Sequence, residues 1–268
     1  MLPLLAGVCC FIGCKEKVYI TPSPALPDEG PKDSTTQVLP LPEKHITTVR
    51  AEADFPIESL DVFVYTEGGA LACHGRSSCD SVRLEFKTNE PHKVFAIANA
   101  RGTFNDSALQ HYDSLLGLEY GFDDDSPEFP LMSGSGTPDA KIRLTPLMSK
   151  VCIASVTSYL PDDVLAENPR VKLENINSRA KVFAESRFPV QSPADGPVVR
   201  LPHDIGLYTV HPHISLYCYP NDLNESSESN PQTVLVMECE VQGKTRTIRI
   251  PVHPIGRGEE ILIDIEIR

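Results

Sequence analysis

The sequence predicts a mostly β protein, folded as two β-sandwich domains in tandem with one short helix. Three observations lead there. Short Val/Ile/Leu runs of strand length recur at close spacing, many of them alternating with polar residues. The 24 prolines and the absence of Trp suit a chain of brief elements joined by punctuated loops, and they exclude a long helical bundle. The length of 268 residues allows one large or two small domains, since domains run to roughly 100–200 residues. A formal charge of −13 argues against nucleic acid, because phosphate binding needs clustered Lys and Arg, and it disfavours electrostatic docking on anionic lipid.

Residues 1–13 (MLPLLAGVCCFIG) are apolar and uncharged and lead to Cys14. Thirteen residues cannot cross a bilayer as a helix, which takes about 20. A run of this kind reads as a secretory signal peptide. Phe11-Ile12-Gly13-Cys14 resembles a bacterial lipoprotein box, which makes Cys14 the expected lipidation site and the first residue of the mature chain. Several acyl chains on one Cys hold a protein at a membrane, each buried methylene contributing about 0.8 kcal/mol. Residues 14–45, with Pro22, Pro24, Pro27, Pro31, Pro40 and Pro42 among Ser, Thr, Asp and Glu, read as an extended tether.

The first domain is expected over 46–146. Leu60–Tyr65 is a strand that turns at Gly68-Gly69, and Ala70-Leu71-Ala72 begins the return. Val82, Leu84 and Phe86 alternate with charged residues. Val94–Ala98 is a continuous apolar run and so a central strand. Ser107–Leu118 is the expected helix, with Leu109, Tyr112, Leu115 and Leu116 on one face and Asp106 as its cap. Glu119–Pro130 reads as a solvated acidic loop, and Ile142–Val156 gives two strands divided by Pro146. The boundary falls within Leu144–Ser149.

The second domain is expected over 147–268. Val171–Ile176 and Ile214–Cys218 alternate, and Leu223–Gln232 is a polar loop. Val234–Val241 turns at Gln242-Gly243 into Thr247–Val252 as a hairpin. The closing segment carries Ile261, Ile263, Ile265 and Ile267 at alternate positions. Such a strand completes its own sheet or adds to a neighbour's open edge through main-chain hydrogen bonds, which makes it the candidate strand-exchange segment.

Chemistry-bearing clusters are sparse. Five cysteines remain after the leader and Cys14 are set aside, an odd number that defines no complete disulfide framework. Cys73 and Cys79 flank a short loop and are the candidate disulfide; with His74 they match no zinc spacing. Cys152, Cys218 and Cys239 fall on the apolar faces of strands and read as buried thiols, with a Cys218–Cys239 bridge conditional on those two strands pairing. Asp123-Asp124-Asp125 with Glu119 and Glu128 lacks the spacing and the glycine of a calcium loop. His211 and His213 would share a strand face but have no third ligand, and Asp162-Asp163 reads as a turn. No phosphate loop, His-Glu-x-x-His or Gly-x-Ser-x-Gly motif occurs. The reading is therefore non-enzymatic, with no cofactor and no metal.

Taken in order, several segments resemble the fimbrillin family, in particular the fimbrillin-A-associated anchor and accessory subunits of type V pili. The lipobox and tether lead to Ile57–Tyr65 with Gly68-Gly69 and Ala70-Leu71. Val94–Ala100 is similar to the family's apolar strand ending in Ala-Asn, and Phe129–Gly134 to its Pro-Met-Ser-Gly stretch with Leu131 inserted. Leu216–Asn221 and Ile248–Ile267 resemble its second domain, although Arg257-Gly258-Glu259-Glu260 stands where an Asn and an aromatic residue are usual. The resemblance implies two transthyretin-like sandwiches, assembly with other fimbrial subunits by strand exchange, and attachment to the cell outer membrane through a lipid anchor. In that class stalk subunits lose an N-terminal strand by cleavage after an Arg, and Arg50, in Ile46–Ala51, is the candidate cleavage point. The alternative reading is a surface lipoprotein whose sandwiches bind glycan or protein, with Tyr217 or Tyr219 as an exposed aromatic platform.

Overall fold

Where apolar residues alternate or run together, the chain makes sheet. The computed structural model describes residues 44–87, 92–138, 140–183, 193–221, 231–252 and 254–268. The leader, Cys14, the Pro-rich stretch and most of the polar loop from Leu223 lie outside them.

The first half carries β1 (Lys44–Glu52), β2 (Leu60–Thr66), β3 (Leu71–Ser77), β4 (Ser81–Lys87), β5 (His92–Ala98), β6 (Glu119–Gly121), β7 (Met132–Gly136), β8 (Lys141–Arg143) and β9 (Thr145–Pro146). One antiparallel sheet has the order β3-β2-β5-β7-β9, and a second sheet has β1 between β4 and β8. Val62–Tyr65 in β2 and Val94–Ala98 in β5 are unbroken apolar runs because both of their faces are covered. Leu60, Val62, Val64, Val94, Ala96 and Ala98 pack toward the β4-β1-β8 sheet with Val49, Val82 and Leu84. Phe63, Tyr65, Phe95 and Ile97 belong to a different cluster with Leu109, Leu115, Leu131 and Leu147. Each fully buried side chain of this size contributes roughly 1.5–3 kcal/mol, so the two faces fix the register of both strands.

The helix is shorter than its pattern predicts. A 3-10 turn at Asp106–Ala108 is capped by Asn105 rather than Asp106, and an α-helix, α1, covers only Tyr112–Leu116. Between them the backbone is taken by the β2–β3 turn. The Leu71 N–H donates to Gln110 O (2.8 Å) and the Tyr112 N–H to Gly69 O (2.9 Å). A carbonyl and an amide used this way cannot close an i→i−4 ladder. Gly69 sits at φ +87°, and a Cβ there would lie 2.5 Å from the His111 ring, so only glycine permits the close approach.

The second half carries β10 (Ser149–Ser158), β11 (Ala166–Glu174), β12 (Ile176–Asn177), β13 (Arg179–Lys181), β14 (Pro193–Ala194), β15 (Val199–Arg200), β16 (Thr209–Val210), β17 (Ile214–Cys218), β18 (Val234–Val241), β19 (Lys244–Pro251) and β20 (Glu260–Ile267). In one sheet β10 has β16 and β17 antiparallel on one side and β20 parallel to it; the other has the order β15-β11-β18-β19. Val151, Ile153, Leu216, Ile263 and Ile265 from the first sheet share a core with Val171, Leu173, Leu235 and Met237 from the second. The β18–β19 hairpin turns at Gln242 and Gly243, both at positive φ (52° and 70°), as a two-residue turn that follows strand twist requires.

Leu147 and Met148 carry the chain from β9 in the first sheet system to β10 in the next. Short β6 pairs with β13 across the two halves, and Tyr219, Ala180 and Val182 complete the cluster that contains Phe63 and Tyr65. The described residues accordingly make one compact unit.

Candidate interaction edges

The closing strand is built by its own alternation. Ile263, Ile265 and Ile267 are buried and Ile261 half-buried, while Glu260, Leu262, Asp264 and Glu266 face out. It pairs with β10 from Lys150–Glu260 to Ser158–Ile267, across a bulge at Ala154. Among the described residues β20 pairs with no other strand, so it completes its own sheet and forms that sheet's edge. Leu262 is 68% exposed on its outer row. Beside it Lys150 Nζ lies 3.2 Å from Glu260, and Ser155 Oγ donates to Asp264. Hydrogen bonds from Cys152 and Lys150 hold the Glu260 carboxyl below the usual carboxylate range.

Arg50 lies inside β1, exposed, between buried Val49 and Ala51. It is opposite Ser81 of β4 and Lys141 of β8, and the Ala51 N–H donates to Asp80 O at 2.8 Å. The Arg50–Ala51 bond is therefore engaged in the sheet, and a protease must first unpair it. The stretch ahead of it is lightly held. Residues 44–50 pair along β4, but β8 reaches only residues 50–52. From 45 to 50 only Thr47 and Val49 are buried, and Ile46 is half exposed.

The cysteines are all free thiols among the described residues. Cys73 is half-buried in β3 and Cys79 exposed in the turn before β4; burial pushes the Cys73 thiol up. Cys218 and Cys239 share the second core, but β17 pairs with β10 and β18 with β11 and β19, so the condition for their bridge is not met. Burial raises the Cys218 thiol to about 12. Cys152 departs from expectation: its neighbours Val151 and Ile153 take the core face, and its sulfur lies outside, 3.6 Å from Ser215 Oγ.

The acidic loop is more structured than its composition predicts. Asp125 accepts from the N–H groups of Ser126 and Leu131, both at 2.8 Å, and from Tyr219 Oη at 3.1 Å. Its carboxyl is raised by burial, against those hydrogen bonds. Among the described residues no group of three His, Cys, Asp or Glu is arranged to hold a metal. His211 and His213 lie between β16 and β17 rather than in a strand; His211 Nδ1 is 2.8 Å from Ala154 O, and His213 has φ +52°. Tyr219 is fully buried and Tyr217 half-buried, so neither offers an exposed platform; among the described residues Tyr159 and Tyr208 are the exposed tyrosines, at 58% and 67%.

Sequence reasoning missed Arg257. From the loop before β20 its guanidinium reaches into the first half and donates to Val182 O and Ser133 Oγ (both 2.8 Å) and to Thr145 O (2.9 Å). Burial lowers it to about 10, which leaves it charged at neutral pH. The one signal in the sequence was its place between two glycines, Gly256 and Gly258. Nearby, a groove of about 250 Å³ is lined by Phe55, Pro130, Pro146, Met148 and Tyr217, with the Lys150–Glu260 pair at its margin.

No family model matches this sequence, and no curated protein does. Solved structures match it in fold. A candidate cell adhesion protein from Bacteroides eggerthii superposes with a TM-score of 0.63 at 15% identity, covering 84% of this chain and 87% of that one. A fimbrillin from Porphyromonas gingivalis gives 0.57 at 11%, covering 77% and 80%. The tip fimbrial protein Mfa3 of the same organism, truncated at its C-terminus, gives 0.54 at 13%, covering 79% and 83%. At such identities the likeness establishes a shared fold.

Proposed function

We propose that this chain is a non-enzymatic fimbrial subunit of the fimbrillin type, an anchor or accessory component held at the outer membrane by acylated Cys14 and joined to other subunits by strand exchange. The observation that carries the reading is the fold shared with a fimbrillin and a tip fimbrial protein over most of each chain. Two features of the edges support the mechanism. The segment ahead of Arg50 is a strand with few buried side chains: kept on an uncut chain it closes the β4 edge and leaves the closing strand as the element to exchange, and only in a chain cut after Arg50, which would also lose Cys14, would its departure uncover that edge. The closing strand presents a regular eight-residue edge with four alternating isoleucines. In this reading the chain divides at 146/147 into two sandwich domains, and the Pro-rich tether spaces them from the membrane.

The test is the intact mass of protein extracted from native membranes, with the N-terminal peptide sequenced and the protein mixed with purified fimbrial subunits. An acylated Cys14 on an uncut chain identifies an anchor or accessory subunit. A chain beginning at Ala51 identifies a polymerising subunit. A start at neither place, with no association with fimbrial subunits, overturns the proposal. A glycan-binding surface lipoprotein is the second reading, favoured by the exposed rings of Tyr159 and Tyr208; retardation in polysaccharide-containing gels, lost when both are replaced by Ala, would support it.

A further inference from the structure

His74 sits between two carboxylates. In β3, its Nε2 lies 3.2 Å from Asp61 Oδ1 of β2, and its Nδ1 lies 2.7 Å from Asp106 Oδ1 of the 3-10 turn. The ring stacks on Phe63 at 4.2 Å, nearly parallel, and Phe104 meets Phe63 edge-on. The charged groups facing it are Asp61 from β2, Asp106 from the turn, and Arg76 from its own strand, whose Nη1 is 3.7 Å from Asp61 Oδ2. Asp61 is completely buried, while the Asp106 side chain is 55% exposed.

A neutral imidazole has a single N–H and can donate to only one of two ionised carboxylates. Donation to both requires the imidazolium, and with Arg76 the site then holds two positive and two negative charges. When the proton leaves, one contact is lost. Asp61 is fixed inside the sheet with little else to satisfy it, so the remaining N–H stays on Asp61. Asp106 faces water and can turn away. What it carries is the turn capped by Asn105, whose Ala108 and Leu109 N–H groups bond to Asn105 O and Asp106 O.

We infer that His74 is a proton-operated latch that fastens the Asn105–Leu109 turn to the β2–β3 hairpin. It closes when the imidazole is doubly protonated and opens as pH rises. Burial pulls the His74 value down, but the hydrogen bonds and charges of Asp61 and Asp106 outweigh it and leave the value raised. A raised folded-state value means the latch is fully present below the unfolded value of about 6.5 and is lost as pH climbs through the folded one. Farther along, Tyr65 Oη still donates to Leu109 O and Leu71 N to Gln110 O, so opening is confined to the turn. This device is independent of the fimbrial reading.

The test is NMR of the full chain between about pH 5.5 and pH 9, following the His74 ring and the exchange of the Ala108 and Leu109 amides, corrected for intrinsic base catalysis. The expected result is a loss of protection of about fivefold, the size of a half-exposed ion pair, with a midpoint matching the ring titration. Asp106→Asn should give low protection that no longer depends on pH, and its exposed position leaves the fold intact. A ring that titrates at or below the ordinary value overturns the latch. So does constant protection in the parent chain, or pH dependence that survives in Asp106→Asn.

Discussion

Tyr219 shows how much one side chain joins. Its ring is buried against Phe122, and its hydroxyl shares its one proton between Gly121 O and the Asp125 carboxylate, both 3.1 Å away. Tyr219→Phe keeps the ring and removes the donor, leaving a half-buried carboxylate with only backbone partners. The expected loss is about 1–2 kcal/mol, seen as a lower denaturation midpoint with an unchanged slope. Asp125 adds a pH effect of defined sign. Its folded-state value is raised, so the native state takes up this proton first as pH falls toward the unfolded value of about 3.9. Asp125 therefore favours the fold on acidification, and in Asp125→Asn that contribution should vanish from a stability-against-pH curve.

At the scale of the element, the two rows of β20 make opposite predictions. Ile265 is completely buried and Leu262 is 68% exposed, though both are aliphatic in one strand. Ile265→Ala should cost about 2–4 kcal/mol, whereas Leu262→Gln should change stability by no more than about 0.5 kcal/mol; thermal or urea unfolding separates them. In the β18–β19 hairpin Gly243 holds φ +70° with open space around it, so Gly243→Ala meets backbone strain alone. It should cost about 1 kcal/mol, and hydrogen exchange should localise the loss to the hairpin. The helix before β6 teaches the reverse lesson. The apolar periodicity of Ser107–Leu118 is real, and Leu109 and Leu115 are buried as it requires. The ladder is nevertheless broken, because Gly69 and Leu71 claim backbone groups that sequence spacing could not reveal.

The molecule as a whole is joined by contacts that run between its halves: β6 with β13, Tyr219 with Asp125, and above all Arg257. This guanidinium spans Ser133, Thr145 and Val182, which come from three separate segments of chain. Its removal should cost about 2 kcal/mol and, more tellingly, should separate the unfolding of the two halves. In Arg257→Ala, amide protection in β7 and β10 should be lost at different denaturant concentrations, whereas in the parent chain the two should coincide. Arg257→Lys should resemble Arg257→Ala, since a single ammonium cannot reach acceptors arranged for a planar fork.

Strand positions are legible in the sequence alone. Period-two alternation placed β4, β11, β17 and β20, the unbroken run at Val94–Ala98 marked a strand buried on both faces, and Gln242-Gly243 fixed a hairpin. These signals are local, because side-chain direction in a strand depends only on position along it. The partnerships come from the folded chain: β20 lies parallel on β10, Cys152 faces outward while Cys218 and Cys239 share a core without pairing strands, Asp125 is a half-buried acceptor in an acidic loop, and Arg257 and His74 find their partners. Those depend on which distant segments meet, and the hydrogen-bonding and charge of a polar side chain acquire their energetic meaning only from the groups that surround it once water is excluded.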